Sequence, residues 1–153
     1  MTVANKDPIH SLNELIETTL DSADGYEAAA KNAANPRFKA LFAERAQSRR
    51  QIVAALQAQV RSLGGTPEDD GTILAAAHRA FLNLKNAVTG SDESVVNEVE
   101  AGEDHIKQKY EEAIKGGKLT GSPAAFEAVT KAYSSVKADH DRMRDLKLAL
   151  KAA

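Results

Sequence analysis

Residues that start and end helices recur along this 153-residue chain at intervals that leave room for long helices. Gly64-Gly65 and Gly116-Gly117 are typical helix ends, because glycine readily adopts the left-handed conformation that closes a helix. Asn35-Pro36 and Ser122-Pro123 are typical helix starts, since Asn and Ser cap a first turn and proline fits the first helical position. An Asp7-Pro8 pair indicates a further start near the N-terminus. We therefore expect an all-α chain with four long helices, at residues 8–33, 36–63, 92–115 and 123–149.

The spacing of apolar residues supports helices and excludes a sheet. In the last segment, Phe126, Val129, Tyr133 and Val136 repeat at intervals of three and four, as on one face of a helix. No segment alternates apolar and polar residues between turn signals. Long helices joined by short turns lie antiparallel to their neighbours, which predicts a four-helix bundle. A shorter crossover helix, at about residues 72–88, returns the chain along the bundle, so residues 1–153 form a single domain.

Two glycines, Gly25 and Gly102, fall inside predicted helices. Glycine in a helix interior costs about 1 kcal/mol relative to alanine. A close approach between two helices would explain both, and so would a local kink; we favour the close approach.

Composition argues against several classes of function. The chain has no Cys, which excludes disulfides and thiolate chemistry, and its net charge of −2 gives no reason to expect nucleic acid as a partner. No run approaches the roughly 18 apolar residues of a membrane-spanning helix. The N-terminus lacks the apolar run of a secretory signal. We expect a cytoplasmic protein without a membrane partner.

Two ionisable residues fall on apolar stripes. Glu103 lies four residues after Val99 and three before Ile106, and His140 lies four after Val136 and three before Met143. Both are therefore expected to point inward. Bundles that place carboxylates and imidazoles in their core often hold metal there. The candidate metal ligands are Glu103, His140 and Glu44, with iron or manganese as the ion.

Other features favour a structural role for the same residues. A di-metal carboxylate site uses Glu-x-x-His pairs, yet Lys137 precedes His140 by three residues and no such pair occurs in the chain. Counted from the turn between their helices, Glu103 and His140 are offset by about 7–8 Å along the bundle. Glu103 is then expected to pair with a facing Arg or Lys, and His140 to hydrogen-bond a neighbour. Arg45 and Arg49 would pack their aliphatic stems inward with the charged heads reaching solvent.

Three motifs carry a resemblance to a known family. They are Leu63-Gly64-Gly65-Thr66-Pro67, Gly102-Glu103-Asp104, and Asp139-His140-Asp141-Arg142-Met143. With them, the chain resembles a family of bacterial four-helix-bundle proteins of unknown function, near the ferritin-like superfamily. The resemblance implies a ferritin-like antiparallel bundle and a cytoplasmic, stress-related setting, but no activity.

The chain is also distantly similar to rubrerythrin-like proteins. That resemblance places Glu103 and His140 at metal-ligand positions. Where other ligands would stand, this chain has Lys137, Thr19, Arg49 and Ile52. About two of six ligand positions are kept, which indicates a degenerate site.

We therefore expect a non-enzymatic bundle that needs no cofactor, forms a homodimer and acts through an unknown protein partner. The alternative is a metal-binding oxidase or metal store with an incomplete site. A second alternative is a bundle that binds an apolar ligand in its core.

Overall fold

The structure is a computed structural model that describes residues 3–69 and 92–152. Four helices make up most of these residues: α1 (Val3–Asn32), α2 (Pro36–Ser62), α3 (Asp92–Lys115) and α4 (Pro123–Ala152). The described ranges contain no strand, so the predicted all-α class is confirmed. None of the four helices has the length and apolar content needed to cross a membrane. The crossover helix predicted at 72–88 lies outside the described residues.

The predicted helix boundaries hold at three of the four helix starts. α2 begins at Pro36, where the Asn35 side chain accepts a hydrogen bond from the Arg37 N–H, and α3 and α4 begin at the predicted residues. The predicted start of α1 was wrong, because this helix begins at Val3 and continues through Pro8 instead of being capped at Asp7. Proline in that position has no N–H to donate to the carbonyl four residues earlier. The helix therefore tolerates one missing bond near its N-terminus.

The helices form two pairs, α1 against α2 and α3 against α4, and the pairs meet where α1 contacts α3 and α2 contacts α4. Asp92, the first residue of α3, accepts hydrogen bonds from the Ala34 N–H at 2.7 Å and the Asn35 N–H at 3.0 Å. The start of α3 therefore lies at the same end of the bundle as the start of α2. These two helices run parallel, as a crossover connection requires.

The end of α2 is tied to the beginning of α1. Gly64, with φ of +85°, closes α2, and the Gly65 N–H bonds the Val60 carbonyl at 2.9 Å, the pattern of a glycine-terminated helix. Gly65 lies so close to Ile9 that an added Cβ would come within 2.9 Å of that side chain. The Asn13 side chain also bonds the backbone of Thr66 and Glu68. These contacts fix the register of α1 against α2.

Gly102 does not mark a close helix–helix approach. It is exposed, and a Cβ added there would meet nothing within 4 Å. The close approach expected at this position was therefore wrong, and packing does not explain the glycine.

The core consists of two apolar clusters, one towards each end of the bundle. Large side chains of all four helices form the first apolar cluster, which includes Leu12, Ile16, Leu56, Val60, Ile106, Tyr110, Val129 and Val136. Smaller residues and a few aromatics form the second, which includes Tyr26, Ala29, Phe42, Ala46, Val95, Val96 and Met143. In α2 the residues between the two clusters are all polar, and in α3 and α4 the buried residues between them are Glu100, Glu103, Asp139 and His140. The candidate site lies at that level.

Candidate functional site

Four charged side chains separate the two apolar clusters, and we call them the charge layer: Arg45, Arg49, Glu103 and Asp139. Their side chains are 9%, 0%, 1% and 10% exposed, respectively. α2 supplies both cations, while α3 and α4 supply one anion each. The layer carries two positive and two negative charges, so it is formally neutral. A neutral set of paired charges is the form in which a core tolerates ionised groups.

Arg49 is the centre of the charge layer. Its Nη1 donates to Ser22 Oγ on α1 at 2.7 Å, and its Nη2 donates to Glu103 Oε2 at 2.8 Å and to Asp139 Oδ2 at 3.3 Å. One guanidinium therefore links α2 to the other three helices. Burial by itself lowers the pKa of Arg49, but Glu103, Tyr26 and Asp139 together outweigh burial, so the pKa lies above its ordinary value. Arg49 stays a cation in the core.

Arg45 and Tyr26 complete the surroundings of this cation. Arg45 Nη1 lies 3.0 Å from Asp139 Oδ1, so the Asp139 carboxylate bridges the two arginines. The Tyr26 ring lies 5.4 Å from the Arg49 guanidinium carbon, a cation–π distance. Burial and the neighbouring Glu103 raise the pKa of Tyr26, which therefore remains neutral. Apolar and aromatic contacts thus enclose the charges on the side of the second cluster.

The buried position of Arg49 corrects the expectation that the arginine heads on α2 reach solvent. Its side chain is fully buried, and Arg45 is nearly so. The physical reason is that two carboxylates face them from α3 and α4, so the heads find partners inside the bundle. The expected pairing of Glu103 with a facing cation is confirmed.

Thr19 extends the polar level on α1. Its hydroxyl lies 2.8 Å from the Tyr110 hydroxyl and donates to the Leu15 carbonyl at 2.6 Å. Burial raises the pKa of Tyr110 to about 12, although the bond to Thr19 opposes the change. At the position where the rubrerythrin resemblance implies a carboxylate, this chain has a neutral pair of hydroxyls.

His140 lies next to the charge layer but faces other partners. Its Nε2 is 2.5 Å from Asp104 Oδ1, and its Nδ1 is 3.0 Å from Asp141 Oδ1. Burial lowers the pKa of His140, but the hydrogen bonds to Asp141 and Asp104 raise it more, so its pKa lies above the ordinary value. The expectation that His140 hydrogen-bonds a neighbour is confirmed.

The three predicted metal ligands do not form one group in the described part of the chain. Glu103 pairs with Arg49, His140 with Asp104 and Asp141, and Glu44 is exposed on α2. Metal binding by these three residues stays a prediction. The offset of 7–8 Å between the levels of Glu103 and His140 was wrong, because residues 103 and 139 both reach Arg49 and residues 104 and 140 contact each other.

The count took no account of the structure of the connection between α3 and α4. Its residues form their own tight turn, with the Ser122 N–H bonded to the Leu119 carbonyl, and Leu119 is buried in the first apolar cluster. Counting residues from the two helix ends assumes that both ends lie at the same level, which such a connection does not ensure.

The structure brings together a different set of possible ligands. Glu100, Asp104 and His140 each offer one ligand atom, and these atoms lie within 4.8 Å of one another. The sequence reasoning missed both carboxylates and Asp139. A signal was available, because a core-facing helix stripe is wide enough to include neighbouring positions such as 139 and 140. Which of these neighbours meet depends on the register between α3 and α4.

A solved structure shares this architecture. A ferritin-like, diiron-carboxylate protein from Bacillus anthracis str. Ames superimposes with a TM-score of 0.72 and 14% sequence identity, over 96% of this chain and 99% of that one. At this identity the likeness concerns the fold, and it confirms the predicted ferritin-like bundle. No curated protein matches the chain.

A family model also matches the sequence. The family described as "Domain of unknown function (DUF2383)" matches residues 7–116. The match spans α1, α2 and α3, so it includes Arg45, Arg49 and Glu103. α4, with Asp139 and His140, follows the matched residues.

Proposed function

The chain belongs to the family described as Domain of unknown function (DUF2383), and from the chemistry of its charge layer we propose that it is a non-enzymatic ferritin-like bundle that acts through protein contacts. The observation that carries this proposal is the fully buried Arg49 guanidinium, bonded to Glu103 and Asp139. Its positive charge offsets the negative charge of the core carboxylates. A core organised in this way needs no metal to balance it.

The contrast with a di-metal site supports this assignment. Such a site uses about four carboxylates and two imidazoles that project into the bundle core. In the charge layer, two carboxylates meet two guanidinium groups, and a guanidinium has no lone pair to offer a metal. A divalent ion beside Arg49 would also be repelled by it. The protein of similar fold is described as a diiron-carboxylate protein, and we propose that this chain uses the polar level of its own core for structure instead.

Two adjacent residues provide the test of this proposal. Glu103 points into the charge layer, whereas the Asp104 side chain is 60% exposed. After purification without chelators, iron, manganese and zinc are quantified per chain for the wild type, Glu103→Gln and Asp104→Asn, together with the rate of oxygen-dependent Fe²⁺ oxidation. We expect no metal that depends on Glu103 and no oxidation above the rate in buffer. One or two metal ions per chain that Glu103→Gln removes and Asp104→Asn retains would overturn the proposal.

The metal-dependent oxidase or metal store is the competing function, and the same experiment decides it. Its support is the fold it shares with the diiron-carboxylate protein. Against it stands the donor set of the charge layer, in which every carboxylate already bonds an arginine.

The apolar-ligand alternative has less support. A groove of about 800 Å³ between α1 and α2 is open rather than enclosed. Charged residues line much of it, including Lys31, Lys39 and Arg50. A ligand that enters an apolar core needs an enclosed apolar cavity. We therefore do not assign this groove to an apolar ligand.

For the protein contacts, we propose a homodimer that involves the C-terminal part of α4. Leu148 is 57% exposed there, the most exposed large apolar side chain of the described residues. Light scattering coupled to gel filtration should give twice the chain mass of 16.4 kDa, and Leu148→Glu should give the monomer. A monomer mass for the wild type at about 100 μM would exclude the dimer. Phe126→Glu, at the opposite end of α4, is the control.

A further inference from the structure

We propose that Glu100, Asp104 and His140 bind one first-row divalent metal ion at the surface between α3 and α4. The three ligand atoms lie within 4.8 Å of one another. Glu100 and Asp104 are four residues apart on α3, so they share one helix face, and His140 meets them from α4. This site is distinct from the charge layer, because none of its three residues bonds Arg45 or Arg49.

The exposure of the three side chains suits a metal site with an open position. The Glu100 and His140 side chains are 11% and 8% exposed, so both are held in place by packing, whereas Asp104 is 60% exposed. Two ligands are thereby preorganised, and the third is free to turn onto the ion. Water would complete the coordination, as in sites with three protein ligands.

The second nitrogen of His140 is already engaged as metal-binding histidines require. Nδ1 lies 3.0 Å from Asp141 Oδ1. A metal-bound histidine usually donates its other N–H to a carboxylate, which fixes the tautomer and aims the lone pair at the ion. Asp104 accepts the Nε2 proton in the metal-free protein. With Nδ1–H donated to Asp141, loss of the Nε2 proton would leave a lone pair on Nε2 for the ion.

The donor set determines which metal fits. One imidazole nitrogen with two carboxylates suits zinc, manganese or iron(II), whereas calcium and magnesium prefer all-oxygen sites. Lys147 lies beside the site, with its Nζ 3.2 Å from Glu100 Oε2. Its ammonium contacts one of the two Glu100 carboxylate oxygens, and its positive charge repels a divalent ion nearby. Lys147 therefore competes with the ion, and its removal should strengthen binding.

The proposal is tested by calorimetric titration of chelator-stripped protein with Zn²⁺. We expect one equivalent to bind, with at least a tenfold weaker Kd in Asp104→Asn and in His140→Gln. Asp141→Asn should weaken binding by about ten- to a hundredfold through the orientation of His140. Lys147→Gln should tighten it. Because Asp104 is largely exposed, Asp104→Asn keeps the fold, which circular dichroism checks.

Matched controls separate this site from adventitious binding. His105→Gln removes an exposed histidine beside Asp104, and His10→Gln removes the exposed pair of His10 with Glu14 on α1. Glu98→Gln removes an exposed carboxylate of α3. All three should leave the Zn²⁺ affinity unchanged.

A second readout is the visible absorption spectrum of the Co²⁺ form. The wild type should give bands typical of nitrogen and oxygen ligands, and His140→Gln should lack these bands. The proposal is overturned if Zn²⁺ does not bind, if Asp104→Asn and His140→Gln bind as tightly as the wild type, or if a control variant abolishes binding. Because Glu103 is not a ligand here, dependence on Asp104 distinguishes this site from metal in the core.

Discussion

Replacing Glu103 by Gln should be among the most damaging conservative changes in this chain. Glu103 and Arg49 are 1% and 0% exposed and meet at 2.8 Å. The change preserves the size of the side chain but leaves two arginines facing only one carboxylate in the charge layer. Arg49 keeps its hydrogen bonds to Ser22 and Asp139, so part of the charge layer remains bonded.

The magnitude follows from two contributions. A hydrogen bond to a charged group contributes about 1.5–3 kcal/mol, and a net positive charge left in the core adds a desolvation penalty. Together they agree with the 3–5 kcal/mol that is typical when one partner of a buried ion pair is removed. We expect the lower end, about 3 kcal/mol, because Asp139 remains. For a chain of this length, that loss lowers Tm by roughly 10 °C.

The assay is urea unfolding followed by far-ultraviolet circular dichroism, since the chain has no Trp for fluorescence. Glu98→Gln, at an exposed position of the same helix, should change the free energy of unfolding by less than about 0.5 kcal/mol. If the free energy of unfolding of Glu103→Gln lies within 1 kcal/mol of that of this control, the charge layer does not stabilise the core as described.

A double variant tests the coupling directly. Arg49→Met with Glu103→Leu removes one cation and one anion and leaves Arg45 paired with Asp139 at 3.0 Å. Because no unpaired charge remains, the double variant should be more stable than Arg49→Met alone. Additive losses would contradict the pairing.

Three further predictions concern single positions away from the charge layer. Burial, and then the charges of Asp24 and Glu17, raise the pKa of Asp21 to about 6. Because this exceeds the ordinary 3.8, the ionised carboxylate destabilises the fold increasingly as pH rises through this range. In urea unfolding, Asp21→Asn should therefore raise the free energy of unfolding by about 1 kcal/mol at pH 8, after allowance for partial exposure, and by little at pH 4. Gly102→Ala should stabilise the chain by about 0.5–1 kcal/mol in the same assay, since a Cβ there meets no other atom. Destabilisation would contradict the open surroundings of this position. Asp92→Ala should cost about 1–3 kcal/mol, because it removes both acceptors for the turn between α1 and α2, and an unchanged Tm would show that these bonds do not stabilise the bundle.

The local signals in the sequence determined where the helices end, and the structure confirms most of them. Gly64 adopts the positive φ that its place after α2 requires, and Pro36 and Pro123 open α2 and α4. These features depend on residues within one or two turns, so the sequence contains them completely. Pro8 is the exception, because the helix continues on both sides of it.

The inward direction of Glu103 and His140 was also determined by the sequence, because the face of a helix follows from its periodicity. Their partners were not. Whether Glu103 meets Arg49, and whether His140 meets Asp104, depends on the axial register between their helices, because the partners lie 54 and 36 residues apart in the chain. Only the tertiary structure decides that register, through contacts such as those of Gly65 with Ile9 and of the buried Leu119. The sequence thus placed charge in the core, and the packing of the four helices decided that the charge is shared among arginines and carboxylates.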